Sequence, residues 1–212
     1  MAKRKNKQRI QKFFVKNGQL QRGHVLLCVI LILGFGIWQT DIHHHKNQPV
    51  KEVNTVERTH KAFIKKIAPQ AQQLEQEYGI LASISIAQAV LESDWGKSEL
   101  STQYNNFFGV KAVAGQPSAS LATKEYENNQ WVTINASFRV YDSWQSSMLD
   151  HAQLLVNGTT DNPQRYATVV QATDYKSAAN GLVAGGYATD PTYAKKIIQM
   201  IETYHLYRYD NK

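Results

Sequence analysis

The sequence predicts an α+β fold, mainly helical with one small β-hairpin, set behind an N-terminal membrane segment. Three observations predict it. Apolar residues recur at helical spacing in several segments, from Phe63, Ile67, Ala71, Leu74 and Tyr78 to Tyr193, Ile197, Ile198 and Ile201. From Trp131 to Val140 the chain alternates, with Val132, Ile134, Ala136, Phe138 and Val140 on one side and polar residues or Trp131 on the other, the pattern of a half-buried strand. An uninterrupted apolar run, Val25 to Trp38, follows a basic N-terminus. At 212 residues the chain has room for one sizeable domain and an appendage.

The appendage comes first. Residues 1–24 carry Lys3, Arg4, Lys5, Lys7, Arg9, Lys12, Lys16 and Arg22, and the first acidic residue is Asp41. Basic flank, apolar run and polar exit describe a single membrane segment at 25–38 with a cytoplasmic N-terminus. The run is shorter than the ~20 residues of a full span, which also suits a signal-peptide core, but Gly36, Ile37, Trp38 and Gln39 lack the small-residue cleavage pattern. An uncleaved anchor is therefore favoured, with the main domain outside the cell; cleavage would make that domain secreted. Cys28, the only cysteine, lies within the run, so no intrachain disulfide forms, and it reads as a small hydrophobe.

Charge partition excludes one function class. The chain carries 24 Lys and Arg against 17 Asp and Glu, a formal net charge of +7. Removing the eight basic residues of the tail leaves 16 against 17, a net of −1. The exported part is near neutral, and no basic patch interleaved with aromatics points to nucleic acid. Residues 39–55 show no hydrophobic period and read as a stalk. Three adjacent histidines, His43 to His45, cannot all face one ion in regular structure, so no metal site is expected there.

The main domain, 56–212, begins with a helix expected over 56–78 and stopped by Gly79. Ser83 is expected to cap the next helix, which carries Ile84, Ala87, Gln88 and Leu91. Residues 94–121 lack strong periodicity, although Phe107 and Phe108 should pack or line a groove. Thr123 to Glu127 and the alternating strand are joined by Asn128-Asn129, a pair that tolerates positive φ. With a two-residue turn Glu127 faces Gln130 and Glu125 faces Val132, which puts Glu125 on the apolar side. Asp142 and Gln145 suggest a capping box ahead of Trp144, Met148, Ala152 and Leu155, a helix ended by Asn157-Gly158. Another helix is expected from Asp174 to Ala184. The last is expected to start at Asp190-Pro191.

One residue stands out chemically. Glu92 follows Gln88 by one turn and precedes the turn residues Ser93, Asp94 and Gly96. A carboxyl at a helix C-terminus faces the negative end of the macrodipole, and partial burial raises its pKa further. A carboxyl that stays protonated near neutral pH serves as a general acid. Trp95 beside it reads as a core plug that fixes the turn. Asp150 and His151 are adjacent on one helix and so point in different directions, which argues against a charge relay.

Taken together, Ile86-Ala-Gln-Ala-Val-Leu-Glu-Ser-Asp-Trp-Gly-Lys-Ser98, Asn106-Phe-Phe-Gly-Val-Lys111, Glu125-Tyr126, Phe138-Arg-Val-Tyr-Asp-Ser143, Asp150-His151 and Gly186-Tyr-Ala-Thr-Asp-Pro-Thr-Tyr193 resemble the glucosaminidase family of peptidoglycan hydrolases. That group includes the muramidase-like domain of flagellar rod-cap proteins and many Gram-positive autolysins. The resemblance covers roughly Val56 to Tyr209 and implies a lysozyme-like fold with the hairpin lobe over a saccharide groove. It implies an endo-β-N-acetylglucosaminidase, cleaving the β-1,4 bond after N-acetylglucosamine in the glycan strand. Glu92 matches the general acid, Glu125 the second acidic position and Tyr187 a tyrosine near the reacting sugar. Asn106, Phe108 and Tyr193 fall where the family lines its groove. The resemblance calls for no metal or other cofactor, and a monomer acting on peptidoglycan glycan strands is expected. Two departures are Asp94, where the family commonly has glycine, and Asn128-Asn129, where it often has Asn-Gly. A lytic transglycosylase or N-acetylmuramidase on the same strand is an alternative, as is a non-catalytic wall-binding domain.

Overall fold

The computed structural model describes residues 15–16, 19–20, 50–127, 130–188 and 190–211, with side chains from Thr55 onward except across 124–132. The expected membrane segment and the triple histidine lie outside the described residues. So does the tail, apart from two short strands, β1 (Val15–Lys16) and β2 (Gln19–Leu20), which pair antiparallel. Among the described residues, no helix is long and apolar enough to cross a membrane.

The body opens on α1 (Val50–Tyr78), which starts six residues before the expected boundary. Val50 and Val53, three apart, are the two apolar residues of these added turns, too few to set a period on their own. Beyond them Phe63, Ile64, Ile67, Ala68, Ala71 and Leu74 form the buried stripe. Pro69 falls on the exposed face between those residues, so it removes a backbone bond without interrupting the buried stripe. Gly79, at φ 77°, stops the helix in the left-handed region.

The second helix, α2 (Ala82–Ser93), is the centre of the molecule. Ala82 through Val90 are buried without a break, so it is enclosed on every side and not only along one stripe. Around it pack α1, α4 (Trp144–Asn157), α6 (Tyr175–Ala184), α7 (Tyr193–Tyr204) and the 3₁₀ turn Leu206–Tyr209. The expected Ser83 cap is corrected: the N-cap position is Leu81, with no side-chain cap of its own. Ser83 instead lies within the first turn, and its backbone N–H and hydroxyl donate to the Asp210 carboxylate at 2.7 and 2.8 Å. A residue from the far end of the chain thus satisfies a free amide of the central helix.

Between α2 and the hairpin lies α3 (Glu99–Tyr104), capped by Ser98 through the Ser101 N–H. At six residues it is too short to show a helical period. The hairpin consists of β3 (Ser118–Glu127) and β4 (Gln130–Arg139), antiparallel, with Glu127 opposite Gln130 and Glu125 opposite Val132. The expected register holds. Thr123, Ala136 and Phe138 are buried while Ala122, Thr133, Asn135 and Ser137 are exposed, so the two faces differ as alternation requires. The base of the lobe is tied to α4: Arg139 and Tyr141 both reach Asp150, at 2.9 and 2.6 Å.

Ser143 is the N-cap of α4, accepting from the Ser146 N–H, one position later than the expected Asp142. Gly158, at φ 65°, follows its last residue. A short α5 (Ala167–Val170), which has no sequence signal, leads to α6, where Asp174 accepts from the Lys176 and Ser177 amides as a capping aspartate should. The last helix starts at Tyr193 and not at Pro191, because Asp190 first closes a turn on the Thr192 N–H and hydroxyl.

Candidate active site

The C-terminal end of α2 delivers Glu92. Its exit is a run of three left-handed residues, Asp94, Trp95 and Gly96, at φ 48°, 59° and 71°. Aspartate tolerates that region better than most residues, which explains how Asp94 occupies a position given to glycine in the resemblance. Ser93 braces the turn by accepting from the Gly96 N–H at 2.7 Å. Gly96 is obligatory on a second ground, since a Cβ there would stand 2.5 Å from Phe63 Cε2. Trp95 lies flat on His60, ring centroids 3.6 Å apart, with Phe63 and Tyr204 at its edges. It is the plug of the turn.

Glu92 itself is densely surrounded by protein yet, as a residue, retains intermediate exposure. Desolvation pushes its pKa from the ordinary 4.5 up to about 8, against the lowering effects of the Tyr193 hydroxyl and the Lys196 charge. Burial is the cause, not the neighbouring Asp94. The carboxyl is therefore protonated at neutral pH.

Two tyrosines from beyond α6 complete the centre. The Tyr193 hydroxyl donates to Glu92 Oε1 at 2.9 Å and accepts from Gln88 Nε2 at 3.1 Å. The Tyr187 ring stacks on Tyr193 at 5.7 Å, and its hydroxyl meets His151 Nε2 at 3.0 Å. His151 in turn stacks on Phe108 at 4.0 Å. Desolvation lowers the His151 pKa to about 3, so the ring is neutral, and it raises both tyrosine pKa values well above their ordinary value. Lys196, one turn after Tyr193, pairs with Asp190 at 2.7 Å.

The structure brings Glu92, Tyr187 and Tyr193 together. Tyr193, 2% exposed, lies on the acid and not on an open groove wall. Tyr187 is equally enclosed, with its hydroxyl directed to His151. Asn106 is 1% exposed and spends its amide on the backbone of Val110 and Arg139, so it braces the base of the hairpin. Phe108 is buried behind His151. Asn106 and Phe108 are both buried, at 1% exposure each. Glu125 is placed by register alone, opposite Val132, and its side chain lies outside the described ones.

Two residues of the centre escaped the sequence reading. Gln88 was visible as the one polar member of an apolar stripe, four residues before Glu92. Adjacency in sequence gives His151 no role beside Asp150, and the two do diverge: Asp150 holds Arg139 and Tyr141, His151 holds Tyr187. Its depth in the core is what makes it part of the site. Among the described residues, no cluster of His, Cys, Asp or Glu could hold a metal ion.

Comparison with known proteins gives a consistent picture. Residues 68–206 match the model of the glucosaminidase family, described as mannosyl-glycoprotein endo-beta-N-acetylglucosaminidase. The exo-glucosaminidase LytG of Bacillus subtilis (strain 168) is 48% identical over 148 residues, covering 70% of this chain and 52% of LytG. The peptidoglycan hydrolase FlgJ of Escherichia coli (strain K12) is 38% identical over 148 residues, covering 67% of this chain and 46% of FlgJ. The crystal structure of the catalytic domain of the autolysin Auto from Listeria monocytogenes superposes with a TM-score of 0.68 at 35% identity, over 77% of this chain and 99% of that one. The chain thus spans about half the length of these two sequence relatives and matches nearly all of one catalytic domain.

Proposed function

The chain belongs to the glucosaminidase family, and from that premise we propose that it is a peptidoglycan hydrolase, a glycosidase that cuts the β-1,4 bond after N-acetylglucosamine within the glycan strand. The observation that carries the chemistry is the desolvated Glu92 carboxyl, protonated at neutral pH and held by Tyr193 at 2.9 Å. Its mainly helical fold with a two-stranded lobe is lysozyme-like.

Glu92 is assigned the role of general acid. Because Tyr193 donates to Oε1, that oxygen is the carbonyl of the neutral acid, and the proton sits on Oε2. Oε2 gives it to the glycosidic oxygen as the C1–O bond breaks. Water adds to C1 and loses a proton, so one water is consumed per bond cut. Glu125 is assigned to the second carboxylate of the reaction, supported by the family pattern and by its hairpin register. Tyr187 and His151 act from behind, holding the Tyr193 ring against the acid. Asn106 supports the base of the lobe, and Phe108 supports His151, in the same way. The N-terminal segment is proposed to anchor a monomeric enzyme on the outer face of the membrane.

The test is mass spectrometry of products from purified peptidoglycan. Products ending in a reducing N-acetylglucosamine support the reading. A reducing N-acetylmuramic end indicates the muramidase alternative, an anhydro sugar a transglycosylase, and binding without release a wall-binding domain. That LytG is an exo-glucosaminidase favours one variant reading, stepwise release from a strand end. Disaccharide units appearing from the first time point would show it, whereas a broad distribution of lengths shows internal cutting.

A further inference from the structure

We propose that Gln88 is a positioning residue, which sets the direction of the Tyr193 hydroxyl and so keeps the Glu92 proton on Oε2, free for the leaving oxygen. This rests on the acid role given to Glu92 above. Gln88 sits one turn before Glu92 on α2, fully buried in a helix whose other buried residues are apolar or serine. Its Nε2 is 3.1 Å from Tyr193 Oη, which is 2.9 Å from Glu92 Oε1. Its Oε1 is buried with no hydrogen-bond partner among the described residues.

An amide can face Tyr193 in two ways, and a hydroxyl has a single hydrogen to give. With Nε2 toward Tyr193, the tyrosine oxygen accepts and its hydrogen goes to Glu92 Oε1. Turned over, Gln88 Oε1 would take that hydrogen. Glu92 would then have to donate its own proton to Tyr193, which withdraws it from substrate. The turned amide would also leave both of its buried N–H bonds without an acceptor, where the first arrangement leaves one. Orphaned buried N–H groups are rarer than under-satisfied carbonyls, so the first arrangement holds and the lone Oε1 is its mark. Packing alone would place leucine or methionine at position 88 and leave no orphan. The hydrogen-bond chain to Tyr193 supplies the reason for an amide.

The test is a 13C NMR titration of the Glu92 carboxyl, assigned with E92Q, in the full chain carrying Q88M, Y193F or both, alongside kcat and KM on purified peptidoglycan. Y193F removes a donor to the carboxylate, so the midpoint rises by about one unit. Q88M moves it in the same direction by less, lowers kcat several-fold at unchanged KM, and adds nothing in the Y193F background. A wild-type midpoint in Q88M, or shifts that add in the double variant, overturns the proposal. The titration reads the relay whether or not cell walls are cut. An inactive wild type with coupled shifts would therefore sink the glycosidase reading alone. Should Q88M fail to fold, the Gln88 side-chain amide protons carry the test. A downfield resonance that moves upfield in Y193F supports the proposal, and one unmoved by Y193F overturns it.

Discussion

At the scale of single residues, one carboxyl is the site's chemistry and also its weak point. Glu92 has a folded-state pKa of about 8 against an ordinary 4.5. Below 4.5 both folded and unfolded chains hold the proton and the group costs nothing. As pH rises from 4.5 to 8 only the unfolded chain ionises, so folding stability falls, and above 8 the penalty is complete. E92Q removes the ionisation. Its stability advantage over wild type should be small at pH 4.5 and grow to about 3–5 kcal/mol by pH 8, measurable by urea unfolding at each pH. A flat difference across that range would show that the carboxyl is not desolvated. The same substitution should cut wall-solubilising activity by about 10²–10⁴-fold. In the wild type, activity should decline above about pH 8 as the acid loses its proton. Activity that keeps rising past that point would assign the acid elsewhere. Glu125→Gln should cost less than E92Q but still clearly reduce the rate, and an unchanged rate removes Glu125 from the scheme.

At the scale of elements, the turn after α2 and the cap on its other end hold the acid in place. Gly96 combines φ 71° with a Cβ position 2.5 Å from Phe63 Cε2. G96A should therefore destabilise by about 1–3 kcal/mol through overpacking and backbone strain, and thermal unfolding checks it. Unchanged stability would mean that the turn relaxes freely. At the opposite end, D210A strands the Ser83 N–H and hydroxyl in the first turn of a buried helix. The expected cost is about 1–3 kcal/mol, with D210N recovering part of it. Neither residue touches Glu92, so both variants should lose stability before they lose the alkaline limb of the pH profile.

At the scale of the whole molecule, the helices around α2 make a framework on which three distant segments meet. Glu92 comes from the central helix, Tyr187 and Tyr193 from the stretch after α6, and His151 from α4. The hairpin is held at its base by Asn106, Arg139, Tyr141 and Asp150, while Glu125 lies further along the lobe. The proposed anchoring belongs to this scale too. A reporter that is active only outside the cytoplasm, fused after Lys212, should be active, and the same reporter fused before Met1 inactive. The reverse pattern would overturn the topology assigned to 25–38.

Much of this architecture was legible along the chain because it depends on local rules. Helical period exposed α1 and α4, glycine at 79 and 158 ended them, the start of α6 was marked near Asp174, and a two-residue turn between the strands gave the pairing of Glu127 with Gln130 and Glu125 with Val132 that the hairpin shows. Short elements such as α3 and α5 stayed hidden, since four to six residues carry no period. The acid could be named from its place at a helix end and from the family pattern. Its neighbours could not. Which oxygen a hydroxyl faces, whether a histidine is sealed in the core, and which end of the chain caps the central helix are set by contacts across about 40 to 130 positions. Such contacts follow from how helices pack around α2. Their desolvation, more than any residue type, gives Glu92 its proton at neutral pH.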